Sequence, residues 1–345
     1  MSDAAVAAPP KPPAPQEIAA DRVVAKAARR LIPFLVTGFI VAYLDRVNMG
    51  FAALTMNGEL GFTPEFFGWG AGVFFIGYCL FEAPSNYIMH RVGARMWIAR
   101  IMVSWGLVSA LTAFIWNEAS FVVLRLLLGV MEAGFAPGVI LYLTYWIPAA
   151  QRARVLAGFL IAVPVSSAIG SPISGLILAA MDGVGGISGW RWLFLMEALP
   201  SIILGFVCFF YLPDGPESAA WLTHGEKAAL RDALEKEAGR DHGDHWRALT
   251  DRRVLILGVA YFGIVIALYG LSFWLPQIIK SFGFGVVATS LLASIPYVCS
   301  AFAMWAWSRS SDRRGETVGH TALAGVIGAV GLACAAYAPT PLLSM

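Results

Sequence analysis

Nine apolar runs, each long enough to cross a lipid bilayer, follow one another along this chain. They cover approximately residues 31–56, 65–88, 95–116, 119–147, 155–181, 190–212, 254–279, 286–307 and 318–338. A membrane-spanning helix needs about 20 mainly apolar residues, and its backbone hydrogen bonds are satisfied within the helix. Hydrophobic residues make up 58% of the 345 residues and charged residues only 13%. The pattern predicts an all-α polytopic membrane protein with nine spans.

Basic residues are concentrated on one side of these spans. With the N-terminus in the cytoplasm, all but four of the 24 Lys and Arg residues fall in the N-terminal tail or in cytoplasmic segments. The four exceptions are Arg46, Arg125, Arg191 and Lys280. Cytoplasmic loops of membrane proteins carry an excess of Lys and Arg. We therefore expect a multi-pass protein of the cytoplasmic (inner) membrane with a cytoplasmic N-terminus.

Polar stretches divide the chain into four parts. Residues 1–30, an Ala/Pro stretch followed by a basic segment, are expected to be a disordered cytoplasmic tail. Residues 31–212 contain six spans and predict an N-terminal six-helix bundle. Residues 213–253 form a charged central loop whose helical spacing suggests one or two short amphipathic helices on the cytoplasmic surface. Residues 254–345 contain three spans and predict a partial C-terminal bundle.

A short polar turn is repeated in the two parts of the chain that carry the spans. His90–Arg95 reads His-Arg-Val-Gly-Ala-Arg after the second span, and Asp312–Glu316 reads Asp-Arg-Arg-Gly-Glu after the eighth. A basic turn with glycine at matching positions is typical of two homologous halves. The six-span part and the three-span part are therefore predicted to be a complete half and an incomplete half.

Ionisable residues inside the apolar spans are the main functional signal. The first span contains Asp45 and Arg46 at mid-depth, with Asn48 one turn after Asp45. The fourth span contains Arg125 and Glu132, seven residues apart, which is about 10 Å along a helix and places both on one face. Ionisable groups are costly at such depth and usually face an internal cavity or a charged partner.

These residue types suit the transport of an anion together with protons. Arginine stays charged and its planar fork matches a carboxylate. A carboxylic acid in a low-dielectric site can take up and release a proton near neutral pH. The alternative is that the buried charges pair with one another and lock the helix bundle, and the residues alone leave both interpretations open.

Further polar residues have two possible roles each. Glu82 in the second span fits either a gating ion pair or a structural cap, and Glu197 in the sixth span fits a structural role better. Tyr269 and Gln277 flank Pro276 in the seventh span. They are expected to face the substrate or to belong to the aromatic belt at the membrane interface.

The sequence carries no pattern typical of an enzyme or of a nucleic-acid-binding protein. It lacks a His-Glu-x-x-His motif, a Gly-x-Ser-x-Gly motif, a phosphate loop and a dinucleotide fingerprint. The four cysteines lie in apolar runs and are expected to be free thiols. We expect no catalytic residue, no metal site and no cofactor. The expected partners are a small organic anion, protons and the lipid bilayer, and the sequence gives no oligomeric state.

Four segments of the chain resemble motifs of the major facilitator superfamily and, within it, of the anion:cation symporter family. The resemblance extends from about Arg29 to about Thr317. The segments are Tyr43–Ala52 (YLDRVNMGFA), Phe81–Asn86 (FEAPSN), Arg125–Gly138 (RLLLGVMEAGFAPG) and Gly189–Phe194 (GWRWLF).

The resemblance implies proton-linked uptake of an organic anion such as tartrate, a sugar acid or an aromatic acid. Arg46 would bind the substrate carboxylate, Asp45 and Glu132 would be the proton-linked acids, and Arg125 would modulate Glu132 as a neighbouring charge. The expected substrate contacts are Arg46, Asn48, Tyr269 and Gln277. The driving force would be the proton gradient.

The resemblance also implies gating segments at the cytoplasmic ends of the helices. The residues expected there are Glu82, Arg91, Gly93, Arg95, Asp312, Arg313 and Gly315. The superfamily usually has an Asp where this chain has His90, whereas the second loop keeps Asp312.

The superfamily fold has twelve spans, of which this sequence contains about nine. We expect a six-helix N-terminal half and an incomplete C-terminal half, in a chain that is truncated at its C-terminus or that needs another chain to complete its second half. The alternative to a transporter is a truncated, non-transporting remnant or a membrane sensor that retains the anion-binding half.

Overall fold

A computed structural model of the protein describes residues 15–238 and 250–337. Its α-helices, in chain order, are α1 Pro15–Leu60, α2 Pro64–Val92, α3 Ala94–Thr112, α4 Glu118–Glu132, α5 Phe135–Thr144, α6 Ala149–Ala180, α7 Gly189–Tyr211, α8 His224–Ala238, α9 Arg252–Ser281, α10 Val286–Arg314 and α11 Val318–Tyr337. Within these residues nine segments are long and apolar enough to cross a membrane, with α4 and α5 forming one of them. The predicted all-α fold with nine spans is confirmed for this part of the chain.

Helix α1 is far longer than a membrane span. It has 46 residues, which corresponds to about 70 Å against a hydrocarbon core of about 30 Å. Residues 15–30 are already helical, so the expectation of a disordered tail over 1–30 is wrong for them, while residues 1–14 lie outside the described part. This extension has a tertiary partner, because Lys26 Nζ donates to Glu226 Oε1 of α8 at 2.8 Å.

The charged central segment packs against the first half of the protein. Helix α8 is the amphipathic helix expected within residues 213–253, and Leu230 on it is fully buried. Just before α8, the Trp221 ring stacks on Trp146 with 5.5 Å between ring centroids. Buried apolar contacts of this kind hold a short helix that propensity alone would leave marginal. Residues 239–249 of the expected loop lie outside the described part.

The fourth span is interrupted at its buried carboxyl group, Glu132. A continuous span was expected over 119–147, but α4 ends at Glu132 and α5 begins at Phe135. Gly134 lies between them with φ +88°, a left-handed conformation that glycine adopts without steric cost. The break places the Glu132 side chain at the end of a helix in the middle of the bundle.

The loops define two ends of the bundle. The basic end carries the N-terminal part of α1, the loops at Gly93 and Gly315, and α8. The opposite end carries the loops at Gly61 and Gly283. One apolar core lies toward the basic end and contains residues of the first half, of the N-terminal part of α1 and of the central segment with α8, with none from α9, α10 or α11. A second core lies toward the opposite end and includes residues of α9 and α10.

The two halves contact each other near the opposite end. Helix α1 approaches α9 so closely that a Cβ added at Gly50 would lie 2.5 Å from Ser272 O, and Gly175 of α6 packs against Ser290 of α10 with no room for a side chain. Toward the basic end, residues 252–264 of α9 are exposed. Helix α11 has no buried residue among those described. The halves are therefore closed at the opposite end and apart at the basic end.

Candidate functional site: two buried carboxyl clusters on α1

Asp45 and Arg46 lie side by side in α1 but face different helices. Successive residues of an α-helix are separated by about 100° around its axis. Arg46 faces α2, the end of α4 and α9, whereas Asp45 faces α3. The adjacent acid and guanidinium of the first span therefore take part in two separate polar clusters.

The first cluster is an ion pair between Arg46 and Glu132. Arg46 Nε donates to Glu132 Oε1 at 2.9 Å, and Arg46 Nη2 donates to the same oxygen. The Glu132 side chain is 2% exposed and the Arg46 side chain 14% exposed. A buried ion pair costs desolvation energy that its own attraction hardly exceeds, and breaking one partner leaves an uncompensated charge. The presence of the pair is therefore weak evidence that it serves to stabilise the fold.

Aromatic rings enclose the Arg46 guanidinium. Its central carbon lies 5.0 Å from the ring centroid of Tyr43, 5.3 Å from that of Tyr78, 5.6 Å from that of Phe74 and 5.9 Å from that of Tyr269. Arg46 Nη1 also donates to Tyr269 Oη. Rings at these distances attract a cation through their negative faces. Of the four aromatic residues, only Tyr269 was expected from the sequence. The sequence signal for the others was helical spacing: Tyr43 lies three residues before Arg46 on α1, and Phe74 lies four residues before Tyr78 on α2.

Arg125 lies close to this cluster without pairing with Glu132. Its Nη2 donates to Ala71 O at 3.2 Å, and its guanidinium lies 5.0 Å from the Phe74 ring centroid. Its Nε makes no hydrogen bond with any described residue. The Phe74 ring thus lies near both Arg125 and Arg46. Arg125 acts on Glu132 through space as a second positive charge.

The second cluster surrounds Asp45. Trp105 Nε1 donates to Asp45 Oδ2 at 2.8 Å, and Ser109 Oγ donates to Asp45 Oδ1 at 3.0 Å. Asn48 Nδ2 donates to Oδ1 at 3.4 Å. Asn48 was expected among the substrate contacts of Arg46, but the structure places it on the Asp45 side. The reason is geometric, because a spacing of three residues returns Asn48 to the face of Asp45.

Two further expected residues lie apart from Arg46: Gln277 was predicted as a substrate contact, and Glu82 as a gating residue or a structural cap. Gln277 is eight residues beyond Tyr269 on α9, and its Nε2 donates to Phe273 O of its own helix at 3.1 Å. Glu82 is partly buried on α2 and acts on Arg46 electrostatically. It forms no ion pair with any residue of the described part.

The first glycine loop is held by a residue that the sequence did not single out. Asp214, in the segment after α7, accepts the backbone N–H of Arg95 at 3.0 Å and lies against Gly93. Arg95 Nε lies 3.7 Å from Asp214 Oδ2. Arg91 instead packs on the Tyr87 ring at 4.6 Å. The sequence signal for this contact would have been the position of Asp214, an acidic residue three residues after the end of the sixth span.

The second glycine loop is built differently. Helix α10 ends at Arg314, and the Gly315 N–H bonds to Asp312 O at 3.4 Å. In the described part of the chain neither Asp312 nor Arg313 forms an ion pair, and both are exposed. The two loops that the sequence pairs by similarity therefore have different contacts.

The chain belongs to the Major Facilitator Superfamily. The family model matches residues 35–345. An Agrobacterium vitis protein named "Putative tartrate transporter" is 50% identical over 320 residues, which cover 92% of this chain and 71% of that protein. An Acinetobacter baumannii protein named "Quinolone resistance transporter" is 40% identical over 92% of this chain and 74% of its own length.

Solved structures share the fold. A bacterial homologue of the human lysosomal transporter Spinster, in an inward-facing and occupied conformation, superposes with a TM-score of 0.67 at 15% sequence identity. The match covers 91% of this chain and 69% of that structure. The protein is therefore a multi-pass membrane transporter of this superfamily. Because the relatives are named as transporters, the expectation that it is not an enzyme is confirmed.

Proposed function

We propose that the protein is a proton-coupled symporter that imports a small organic anion across the cytoplasmic membrane by alternating access. Arg46 binds the substrate carboxylate, and Glu132 and Asp45 carry the protons. The proton gradient drives transport and no cofactor takes part. The observation that carries this proposal is the buried ion pair in which the Glu132 carboxylate takes up the hydrogen-bond donors of the Arg46 guanidinium.

Competition for Arg46 couples the two ions. The guanidinium fork binds either the Glu132 carboxylate or the carboxylate of a substrate, since both need the same donors. Protonation of Glu132 removes its negative charge and weakens its hold on Arg46. The anion then takes over the freed donors, so that a proton and an anion occupy the site together. After the anion leaves, Glu132 releases its proton and pairs with Arg46 again.

The walls of the site favour a small, planar or hydroxylated acid. The Tyr43, Tyr78 and Tyr269 rings surround Arg46 and add hydroxyl groups to an aromatic lining. Arg125 adds a second positive charge close by, which favours an anion over a neutral compound. The relative named as a tartrate transporter supports a hydroxylated carboxylate as substrate.

The orientation of the site in the membrane is inferred from the distribution of charge. The basic end lies in the cytoplasm according to the excess of Lys and Arg there. The halves are closed at the opposite end and apart at the basic end, which corresponds to an inward-facing state. Rocking of one half against the other around Arg46 would expose the site alternately to the two sides. The Asp214 contact with the first glycine loop would stiffen the cytoplasmic end of the first half during that movement.

Uptake into proteoliposomes tests the proposal. The chain is reconstituted, the outside is made acidic, and uptake of labelled tartrate, a sugar acid and an aromatic acid is followed. Threitol, which has the carbon chain of tartrate without its carboxylates, is the matched neutral control. A protonophore collapses the gradient in parallel samples. We expect gradient-dependent uptake of at least one carboxylate and none of threitol.

Two results would count against this function. Equal uptake with and without the gradient would exclude proton coupling. Binding of the carboxylate without any uptake would favour the membrane sensor over the symporter.

A further inference from the structure

A second carboxyl group lies in the interior of the first half, outside the Arg46 cluster. Glu197 on α7 is 6% exposed. Its Oε1 accepts a hydrogen bond from Ser174 Oγ of α6 at 2.8 Å. Its Oε2 makes no hydrogen bond with any described residue. A buried oxygen without a partner on an otherwise well-packed helix requires an explanation.

The neighbours of Glu197 on α1 are the members of the Asp45 cluster. Asp45 acts on the Glu197 carboxyl through its charge, and the Asn48 side chain lies near enough to that carboxyl for a weak hydrogen-bond interaction. Asn48 is fully buried, and its Oδ1 also lacks a hydrogen-bond partner among the described residues. Two unpaired acceptor oxygens therefore belong to neighbouring side chains. A single proton on Glu197 would supply the donor that this pair of side chains lacks.

No cation of the described residues balances Glu197. Arg46 on α1 is engaged by Glu132, and Arg191 at the start of α7 pairs with Glu59 at 3.3 Å. Arg100 on α3 packs over the Trp97 ring at 3.9 Å. Within the described residues no Lys, Arg or His lies within 4.0 Å of the Glu197 carboxyl. A buried carboxylate with one hydrogen bond and no cation is very costly, whereas the neutral acid is not.

Asp45 is better equipped to carry the negative charge of this cluster. It accepts three hydrogen bonds, from Trp105, Ser109 and Asn48, against one for Glu197. Two acids that share a buried site do not both ionise, and the better-solvated one ionises first. The cluster thus holds one proton on Glu197 when Asp45 is charged and two protons when Asp45 is neutral.

The cluster adjoins both contacts that close the opposite end. Ser174, the donor to Glu197, is followed by Gly175, which packs against Ser290 of the second half. Asn48 lies two residues before Gly50, which packs against Ser272. Removing the Glu197 proton would change hydrogen bonding next to both contacts.

We propose that Glu197 is a proton-carrying carboxyl of the transport cycle, which joins Asp45 through Asn48 in a second proton site separate from the Arg46–Glu132 pair. The inference rests on the proposed proton-coupled transport. It assigns to Glu197 a proton that is released when the opposite end opens. Opening lets water reach the cluster, and the hydrated carboxyl can then ionise. The Arg46–Glu132 pair selects the anion. The Glu197 cluster binds a further proton when the two halves close at the opposite end.

Counting protons per substrate tests the assignment. Proteoliposomes with an internal pH dye and labelled tartrate report both fluxes in the same sample. Glu197→Gln keeps the acceptor for Ser174 but carries no titratable proton. We expect tartrate exchange to persist and the number of protons per tartrate to fall by one relative to wild type. Glu59→Gln, the same change at a carboxyl paired with Arg191, should leave the count unchanged, and Glu197→Asp should restore it.

Infrared spectroscopy tests the proton without transport. We expect a protonated-carboxyl band at neutral pH in the wild-type protein that is lost in Glu197→Gln and kept in Glu59→Gln. If Glu197→Gln does not fold, Glu197→Asp should still shift this band. An unchanged proton count in Glu197→Gln, or an unchanged band, would overturn the inference alone. Wild-type protein without proton-coupled uptake would overturn the proposed function and, with it, this inference.

Discussion

The two faces of α1 hold carboxyl groups in opposite ways. On one face the Glu132 side chain accepts hydrogen bonds from the Arg46 guanidinium, and among the described residues it accepts none from a neutral side chain. On the other face Asp45 is held by neutral donors, namely an indole, a hydroxyl and an amide. Both groups are buried to a similar degree.

The difference determines what each face would do in the proposed cycle. A carboxylate paired with arginine can be displaced by another carboxylate, so we expect its face to respond to the anion. A carboxyl held by neutral donors has no cationic partner for an anion to compete for, so we expect its face to respond to protons. Adjacent positions in the sequence thus acquire different partners because different helices pack on each face.

The largest effect is expected when the cation of the first face is removed. Arg46→Ala should abolish uptake and weaken carboxylate binding by about 2–5 kcal/mol, which is at least about 30-fold, since a buried charge loses its partner. Arg46→Lys should retain part of the binding because it keeps the charge without the fork. Binding and uptake are measured with labelled substrate. Uptake near the wild-type level in Arg46→Ala would disprove the role of the guanidinium.

The second effect separates coupling from binding on the same face. Glu132→Gln no longer needs a proton to release Arg46, so uptake should continue down the substrate gradient but lose its dependence on the proton gradient. Glu118→Gln is the matched control, because Glu118 is exposed in the first turn of the same helix. Uptake is compared with and without a protonophore. Retained gradient dependence in Glu132→Gln would show that Glu132 does not couple the proton.

A third, moderate effect concerns closure between the halves. Gly50→Ala would place a methyl group 2.5 Å from Ser272 O, and overpacking of this kind typically costs about 1–3 kcal/mol. We expect slower uptake with unchanged equilibrium binding. Gly58→Ala on the same helix has open space around it and should transport normally. Equal rates in the two variants would mean that this contact does not limit the cycle.

The smallest effect is expected at the partly exposed ion pair between Lys26 of α1 and Glu226 of α8. The hydrogen bond from Lys26 holds the pKa of the Glu226 carboxyl below its usual value. A lowered pKa in the folded state means that this contribution is present at neutral pH and is lost as the pH falls through the folded-state pKa. Lys26→Ala should speed proteolysis near α8 slightly at pH 7 and hardly at all in acid. Uptake should be unchanged, and a transport defect would give α8 docking a larger role than we assign.

The sequence predicted the spans and the buried charges because both are local properties. Runs of about 20 apolar residues define the spans, and ionisable residues such as Asp45 and Glu132 interrupt them visibly. Partner choice is not local. Asn48 was expected beside Arg46 and lies on the other face, and Glu197 was given a structural role because its neighbours come from α1 and α6. The break after Glu132 was missed because Gly134 lies in a run that reads as continuous helix.

The N-terminal extension was missed for a related reason. Residues 15–30 look like a tail by composition, but α8 lies against them and supplies a partner for Lys26. Asp214 was likewise overlooked, since its contact with the loop at Gly93 joins segments more than a hundred residues apart. In both cases the structure depends on a partner that is distant in the sequence, and hydrophobic periodicity does not reveal such partners.

The most direct test of the central claim is the number of protons taken up when the carboxylate binds. Calorimetry of tartrate binding in two buffers of different ionisation enthalpy, at the same pH, gives that number without any transport step. If substrate displaces Glu132 from Arg46, binding takes up protons in the wild-type protein, and the uptake is reduced in Glu132→Gln. Binding that takes up no proton, or takes up the same number in both proteins, would contradict the competition of Glu132 and substrate for Arg46.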